Sequence, residues 1–227
     1  MARPAARFLF RAVAEFAGTA VLVCVVVGSG IMATNLTEDK GVALIINTFS
    51  TIFALALIIL ILAPISGAHF NPAVSLVQLI SRAQRPVETA AYVVVQVAGA
   101  IVGAIVANVM FDQPAVQFST SERVSPGMLL GEVIATAGLI VVIGVLIQRK
   151  QDALIPVAVA AWIGSAYFFA ASTSFANPAV TIGRLFSNTF AGIAPVSVAP
   201  YIGAQLVGAV LGFLIVKAVA RYRVNGS

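Results

Sequence analysis

The tripeptide Asn-Pro-Ala occurs twice, at Asn71-Pro72-Ala73 and at Asn177-Pro178-Ala179. Each copy follows a short polar break, Ser66-Gly67-Ala68-His69-Phe70 and Ser172-Thr173-Ser174-Phe175-Ala176. Asn is a good helix N-cap, and Pro at the first helical position gives up an N–H that has no intrahelical partner anyway. Both copies therefore read as helix starts. The apolar runs behind them, Ala73–Ile80 and Ala179–Phe186, are too short to cross a bilayer, which takes about 20 residues. Two half-helices in an apolar chain point to a substrate pathway, because their positive N-terminal ends can face a buried cavity.

The chain around them is membrane material: 60% of its residues are hydrophobic and only 9% charged. A length of 227 residues allows about six spans of roughly 20 residues plus two half-spans. The hydropathy pattern places full spans near residues 11–33, 43–63, 87–110, 127–148, 153–171 and 198–219. The net charge of +5 is a topology signal and not a nucleic-acid one. With both termini cytoplasmic, Arg3, Arg7, Arg11, Arg82, Arg85, Arg149, Lys150, Lys217, Arg221 and Arg223 lie inside, and only Lys40, Arg123 and Arg184 lie outside. That is the positive-inside bias. Glu38, Asp39, Asp112 and Glu122 fall in the outer loops. The basic N-terminus runs into an apolar stretch that reads as an anchor without a cleavage site, so the expected location is the inner (plasma) membrane.

The chain is internally repeated. Pro86, Val87, Ala90, Tyr92, Gln96, Gly99, Ala100 and Gly103 recur at Pro195, Val196, Ala199, Tyr201, Gln205, Gly208, Ala209 and Gly212, a constant offset of 109 (86 to 195). The Asn-Pro-Ala copies are offset by 106 (71 to 177), and Glu15 and Thr19 match Glu132 and Thr136. Each half, about 8–111 and 125–220 of one channel domain spanning 1–227, holds three spans. A duplicated unit with an odd number of spans inserts in opposite orientations, giving an inverted repeat. The fold class is then an all-α polytopic membrane protein with six transmembrane helices and two half-helices, and Asn71 and Asn177 meet near the midplane. Gly99/Gly103 and Gly208/Gly212 form small-residue patterns that let helices approach closely; internal packing is the expected use, an oligomer contact the alternative.

Two Asn amides at the centre can cap with oxygen and donate with nitrogen into a lumen. Carbonyls of the two non-helical breaks are the expected acceptors, since irregular backbone at this depth is tolerated where it lines a wet cavity. Glu15 and Glu132, expensive inside a membrane, are expected to accept hydrogen bonds from the break backbone, with Gln96 and Gln205 as buried interhelical hydrogen-bonders. His69 is expected at the cytoplasmic end of the pore, with pH gating as an alternative. Cys24, the one cysteine, reads as inert core. No metal or cofactor site is expected, and a lone His cannot build the usual multi-histidine metal site.

These residues, together with Ala14-Glu15-Phe16-Ala17-Gly18-Thr19 in the first span, resemble the major intrinsic proteins, the aquaporins and aquaglyceroporins, over essentially the whole chain. The resemblance implies a right-handed six-helix bundle, a homotetramer with one pore per subunit, and passive conduction of water and small neutral solutes. It also exposes a departure. The residue after the second Asn-Pro-Ala is normally an Arg of the outer constriction, and here it is Val180. The other filter positions, carried over by distance from the motifs, are Thr51, Ser165 and Ser174. The implied filter is small, neutral and wide. It resembles that of a bacterial subgroup associated with arsenic resistance, which implies passage of polyols and of metalloid hydroxides such as arsenous acid; the apolar edge of a methylated arsenical should be tolerated better by Val180 than by an Arg. Arg184, one turn beyond Val180, reads as an exposed mouth residue, or else as a charge at the outer vestibule. Tyr167, Phe168, Phe169 or Phe175 could narrow the pore or face lipid. The competing readings are a water-selective aquaporin, a secondary transporter, and a non-conducting structural protein. No arrangement of residues supports an enzyme.

Overall fold

The computed structural model describes residues 4–225; Arg3 and the side chain of Arg223 lie outside what it describes. The described residues form eight α-helices and no strand: α1 (Pro4–Leu36), α2 (Lys40–Ser66), α3 (Pro72–Ile80), α4 (Pro86–Met110), α5 (Pro126–Gln148), α6 (Ile155–Phe169), α7 (Pro178–Arg184) and α8 (Pro195–Asn225). A 3-10 turn at Asp152–Leu154 leads into α6. Six of the helices are long and apolar enough to cross a membrane; α3 and α7 are the half-helices.

Several helices outrun the spans read from hydropathy, because polar residues close their ends. Asp39 caps α2 by accepting from the N–H groups of Gly41 and Val42 at 2.7 and 2.9 Å, which carries the helix back beyond residue 43. Proline opens α3, α4, α5 and α7. The second half-helix stops at Arg184, two residues short of the expected Phe186. Its exit is captured by α4 and the loop that follows it: Ser119 N–H donates to Leu185 O at 3.0 Å and Asn108 Nδ2 to Phe186 O at 2.9 Å.

The two halves pack alike. α1 lies along α4, and α5 along α8. A Cβ on Gly99 or Gly103 would collide with the backbone carbonyls of Phe16 or Ala20; one on Gly208 or Gly212 would meet those of Val133 or Ala137. The small-residue faces thus serve internal contact between the first and third spans of each half, where close backbone approach replaces side-chain packing. The correspondence reaches single dihedrals. Positive φ occurs at Gly67, Ala68 and Phe70, and again, 106 residues on, at Thr173, Ser174 and Ala176. These left-handed residues, five of the six not glycine, are held there by their surroundings.

Candidate functional site

Each break hangs on a buried glutamate. Glu15 Oε1 accepts from Ser66 Oγ at 2.6 Å and His69 N at 2.9 Å; its Oε2 accepts from Phe70 N at 2.7 Å and Gln96 Nε2 at 2.8 Å. Glu132 accepts from Phe175 N and Ala176 N, both at 2.8 Å, and from Gln205 Nε2 at 2.6 Å. The N–H groups that a helix would have satisfied are therefore filled by a side chain, as burial demands. The same glutamines reach the half-helices, Gln96 Nε2 to Ser75 Oγ at 3.1 Å and Gln205 Nε2 to Thr181 Oγ1 at 2.8 Å.

The asparagines close the centre. Asn71 Oδ1 caps α3 through Ala73 N at 2.9 Å, and Asn177 Oδ1 caps α7 through Ala179 N at 2.9 Å and Val180 N at 3.2 Å. Their amide nitrogens cross over: Asn71 Nδ2 donates to Ala176 O, and Asn177 Nδ2 to Phe70 O, each at 2.8 Å. An amide carries two N–H groups, so one on each Asn is spent on the junction and one is left over.

A cavity of about 800 Å³ passes both asparagines. Its walls are stripes of residues four apart: Thr51, Leu55 and Ile59 on α2, Leu139, Ile143 and Ile147 on α5, and Ile155, Val159, Ile163 and Tyr167 on α6. One side is different. It consists of the breaks, with Gly67, Ala68, His69, Ser174 and Phe175 lining the cavity, and the carbonyls of these five accept no hydrogen bond within the described residues. The cavity runs from Arg11 and Asp152 at one end to Val180 and Arg184 at the other.

The family model for major intrinsic proteins matches residues 4–174. The chain belongs to the major intrinsic protein family. It is 47% identical over 207 residues to the aquaglyceroporin AqpS of Rhizobium meliloti (strain 1021), covering 91% of this chain and 88% of that one. It is 30% identical over 199 residues to aquaporin C of Dictyostelium discoideum, covering 81% and 72%. Its fold is similar to the X-ray structure of the aquaglyceroporin from Plasmodium falciparum, with a TM-score of 0.73 at 21% identity over 97% of this chain and 100% of that one. As a member of the family this chain is a membrane channel and not an enzyme.

Thr51, Ser174 and Val180 are each buried and line this channel's cavity. Ser165 does not. It is exposed on the outer side of α6, two residues out of phase with the stripe that ends at Tyr167. Two residues are about 200° around a helix, and the link from Phe169 to Asn177 is not helical, so no helical period carries the count across it. On α6 it is Tyr167 that lines the cavity, its hydroxyl 3.4 Å from Thr51 Oγ1, a long contact for two hydroxyls. Of the other aromatics, Phe175 lines the cavity, while Phe168 and Phe169 are 57% and 51% exposed and face outward.

Arg184 is a second correction. It is 3% exposed, lines the cavity, and is not the exposed mouth residue expected. Its Nε donates to Ala191 O, and its guanidinium carbon sits 3.4 Å over the centroid of the Phe175 ring. Arg123 approaches the same ring at 5.4 Å and ties down the α7–α8 loop through Gly192 O at 2.7 Å and Phe190 O at 3.0 Å. Burial lowers the Arg123 pKa from its ordinary value, although a guanidinium keeps its charge.

At the near end His69 Nδ1 lies 2.9 Å from Ser75 Oγ, and its ring meets the edge of Tyr92 at 5.2 Å. Phe175 and Tyr201 repeat that contact at 5.1 Å, so the filter-side Phe175 is the repeat partner of His69. Cys24 is half-buried in the core and free. Sequence reasoning missed Ser75 and Thr181. The signal was present: both stand four residues beyond an Asn-Pro-Ala asparagine, but they are a hydroxyl pair and not an identity.

Proposed function

We propose that this channel passes small uncharged hydroxylated solutes, glycerol-like polyols and metalloid hydroxides such as arsenous acid, along with water. The observation that carries the reading is the asymmetry of the cavity: apolar stripes on most sides and one rail of unfilled carbonyls and amide N–H groups. A polar solute leaving water must recover its hydrogen bonds or it does not enter. A polyol presents hydroxyls along one edge and C–H groups along the other, and matches both surfaces. Arsenous acid is neutral near pH 7 and presents three hydroxyls in a compact shape.

Thr51, Tyr167, Ser174 and Val180 are the residues that select at the far end. Val180 places an apolar side chain where an Arg would take space and fix several donors. That supports wider passage than water alone, and an apolar edge tolerant of methylated arsenicals. His69 completes the near end of the rail. The name of the relative AqpS, an aquaglyceroporin, supports the polyol reading over a water-selective one. Six spans put the start of α1 and the end of α8 on one face, and the positive-inside bias supports that face as cytoplasmic and the inner (plasma) membrane as the location. The family relationship supports a homotetramer, which chemical crosslinking in native membranes tests.

The test is Val180→Arg in proteoliposomes. Glycerol and arsenous acid entry should fall by at least about tenfold; a wrongly placed donor set and lost width together need supply only about 1.4 kcal/mol to produce that. Unchanged entry would remove Val180 from the constriction.

A further inference from the structure

We infer that Arg184 is the residue that excludes cations and protons from this pore, separately from the residues that select by size. The inference rests on the proposed conduction of neutral solutes. Arg184 is buried, lines the cavity, and has no carboxylate partner: the ion pairs among the described residues are Arg11–Glu88 and Arg85–Glu88. Glu132, the buried acid of that half, is occupied by Phe175 N, Ala176 N and Gln205. Arg184 Nε is fixed to Ala191 O, and its two terminal nitrogens make no hydrogen bond within the described residues. A buried, unpaired guanidinium is costly. Two features offset the cost here, the face of Phe175 and the position of Arg184 in the cavity wall, where a passing hydroxylated solute would accept from its free N–H groups.

The placement makes a division of labour. Thr51, Tyr167, Ser174 and Val180 are uncharged and set width and polarity. Arg184 sits about one helical turn beyond Val180, in a low-dielectric surround where a full charge is felt strongly. A cation or a hydronium meets repulsion there; a neutral hydroxyl meets donors. Arg123 adds the same sign behind Phe175, with its Nε and Nη2 committed to loop carbonyls.

The experiment uses full-length protein in liposomes carrying an internal pH dye. Proton entry under a valinomycin-set potential and glycerol entry are read on the same vesicles for wild type, Arg184→Gln, Arg184→Met and Arg184→Lys. The ratio of proton to glycerol entry should rise by at least about tenfold in Gln and Met and stay near the wild-type ratio in Lys, which keeps the charge. Met, similar in length and apolar, covers a failure of Gln to fold. A ratio unchanged in both neutral variants overturns the inference. So does a Lys variant that leaks as the neutral ones do, since packing and not charge would then be responsible. Wild-type vesicles that admit no glycerol fail a different claim, the conduction itself.

Discussion

Asn71 and Asn177 each fasten the break that leads into the other: Asn71 Nδ2 donates to the carbonyl of Ala176, and Asn177 Nδ2 to that of Phe70, both at 2.8 Å. Each side chain also caps its own half-helix. One residue type thus ends two helices, ties two halves of the chain together, and keeps one N–H on each side for a solute. Asp would supply the cap but no donor, and Ser would cap but not reach.

Asn177→Ala removes a cap and a buried cross-link together. The expected loss is about 2 kcal/mol, from roughly 1 for each. The double variant with Asn71→Ala should cost less than the two single losses added, because both fasten one junction. Thermal melting in detergent measures this. Additive losses would mean that the crossed bonds act independently.

Glu132→Gln keeps the shape but points an amide N–H₂ at backbone donors. Phe175 N or Ala176 N would lose its acceptor in a buried site. The expected cost is about 2 kcal/mol or more, seen as a lowered melting temperature and reduced folded yield. Glu15→Gln should behave in the same way at the other break. A neutral outcome for either would remove the glutamates from the scaffold.

Gly103→Val should lower the melting temperature, because the Cβ meets the Ala20 carbonyl and the two helices must separate; overpacking of this kind costs about 1–3 kcal/mol. Gly203→Ala is the matched control. A Cβ there meets nothing within 4 Å, and size-exclusion profile and melting temperature should stay those of the wild type. Equal behaviour of the two would contradict the close α1–α4 contact.

Tyr167→Ala should widen the constriction and admit larger polyols, while Ser165→Phe should leave solute entry alone because it faces outward. Stopped-flow swelling with glycerol and a four-carbon polyol distinguishes them. The reverse pattern would restore Ser165 to the filter.

These cases show what the sequence made legible. The six spans, both half-helices, the glutamate supports and the central asparagines followed from apolar length, helix-start chemistry and the 106- and 109-residue offsets. Those signals are local or internal to the chain. Ser165 failed because it was counted across a turn, from Phe169 to Asn177, whose length no helical period constrains. The better signal was Ile155, Val159, Ile163 and Tyr167, a four-residue stripe that sets which side of α6 faces inward. Arg184 failed for another reason. A charge near a helix end is most often exposed, and only the tertiary meeting with Phe175 and Ala191, a contact with no sequence signature, turns it inward.

The central claim is a neutral-solute pore wider than a water-only one. Stopped-flow light scattering on proteoliposomes, comparing water, glycerol and arsenous acid against empty vesicles, tests it most directly. The account predicts rapid glycerol and arsenous acid entry well above the empty-vesicle rate. Rapid water entry with no solute entry would contradict it, and would mean that Tyr167 and Arg184 close the constriction that Val180 leaves open.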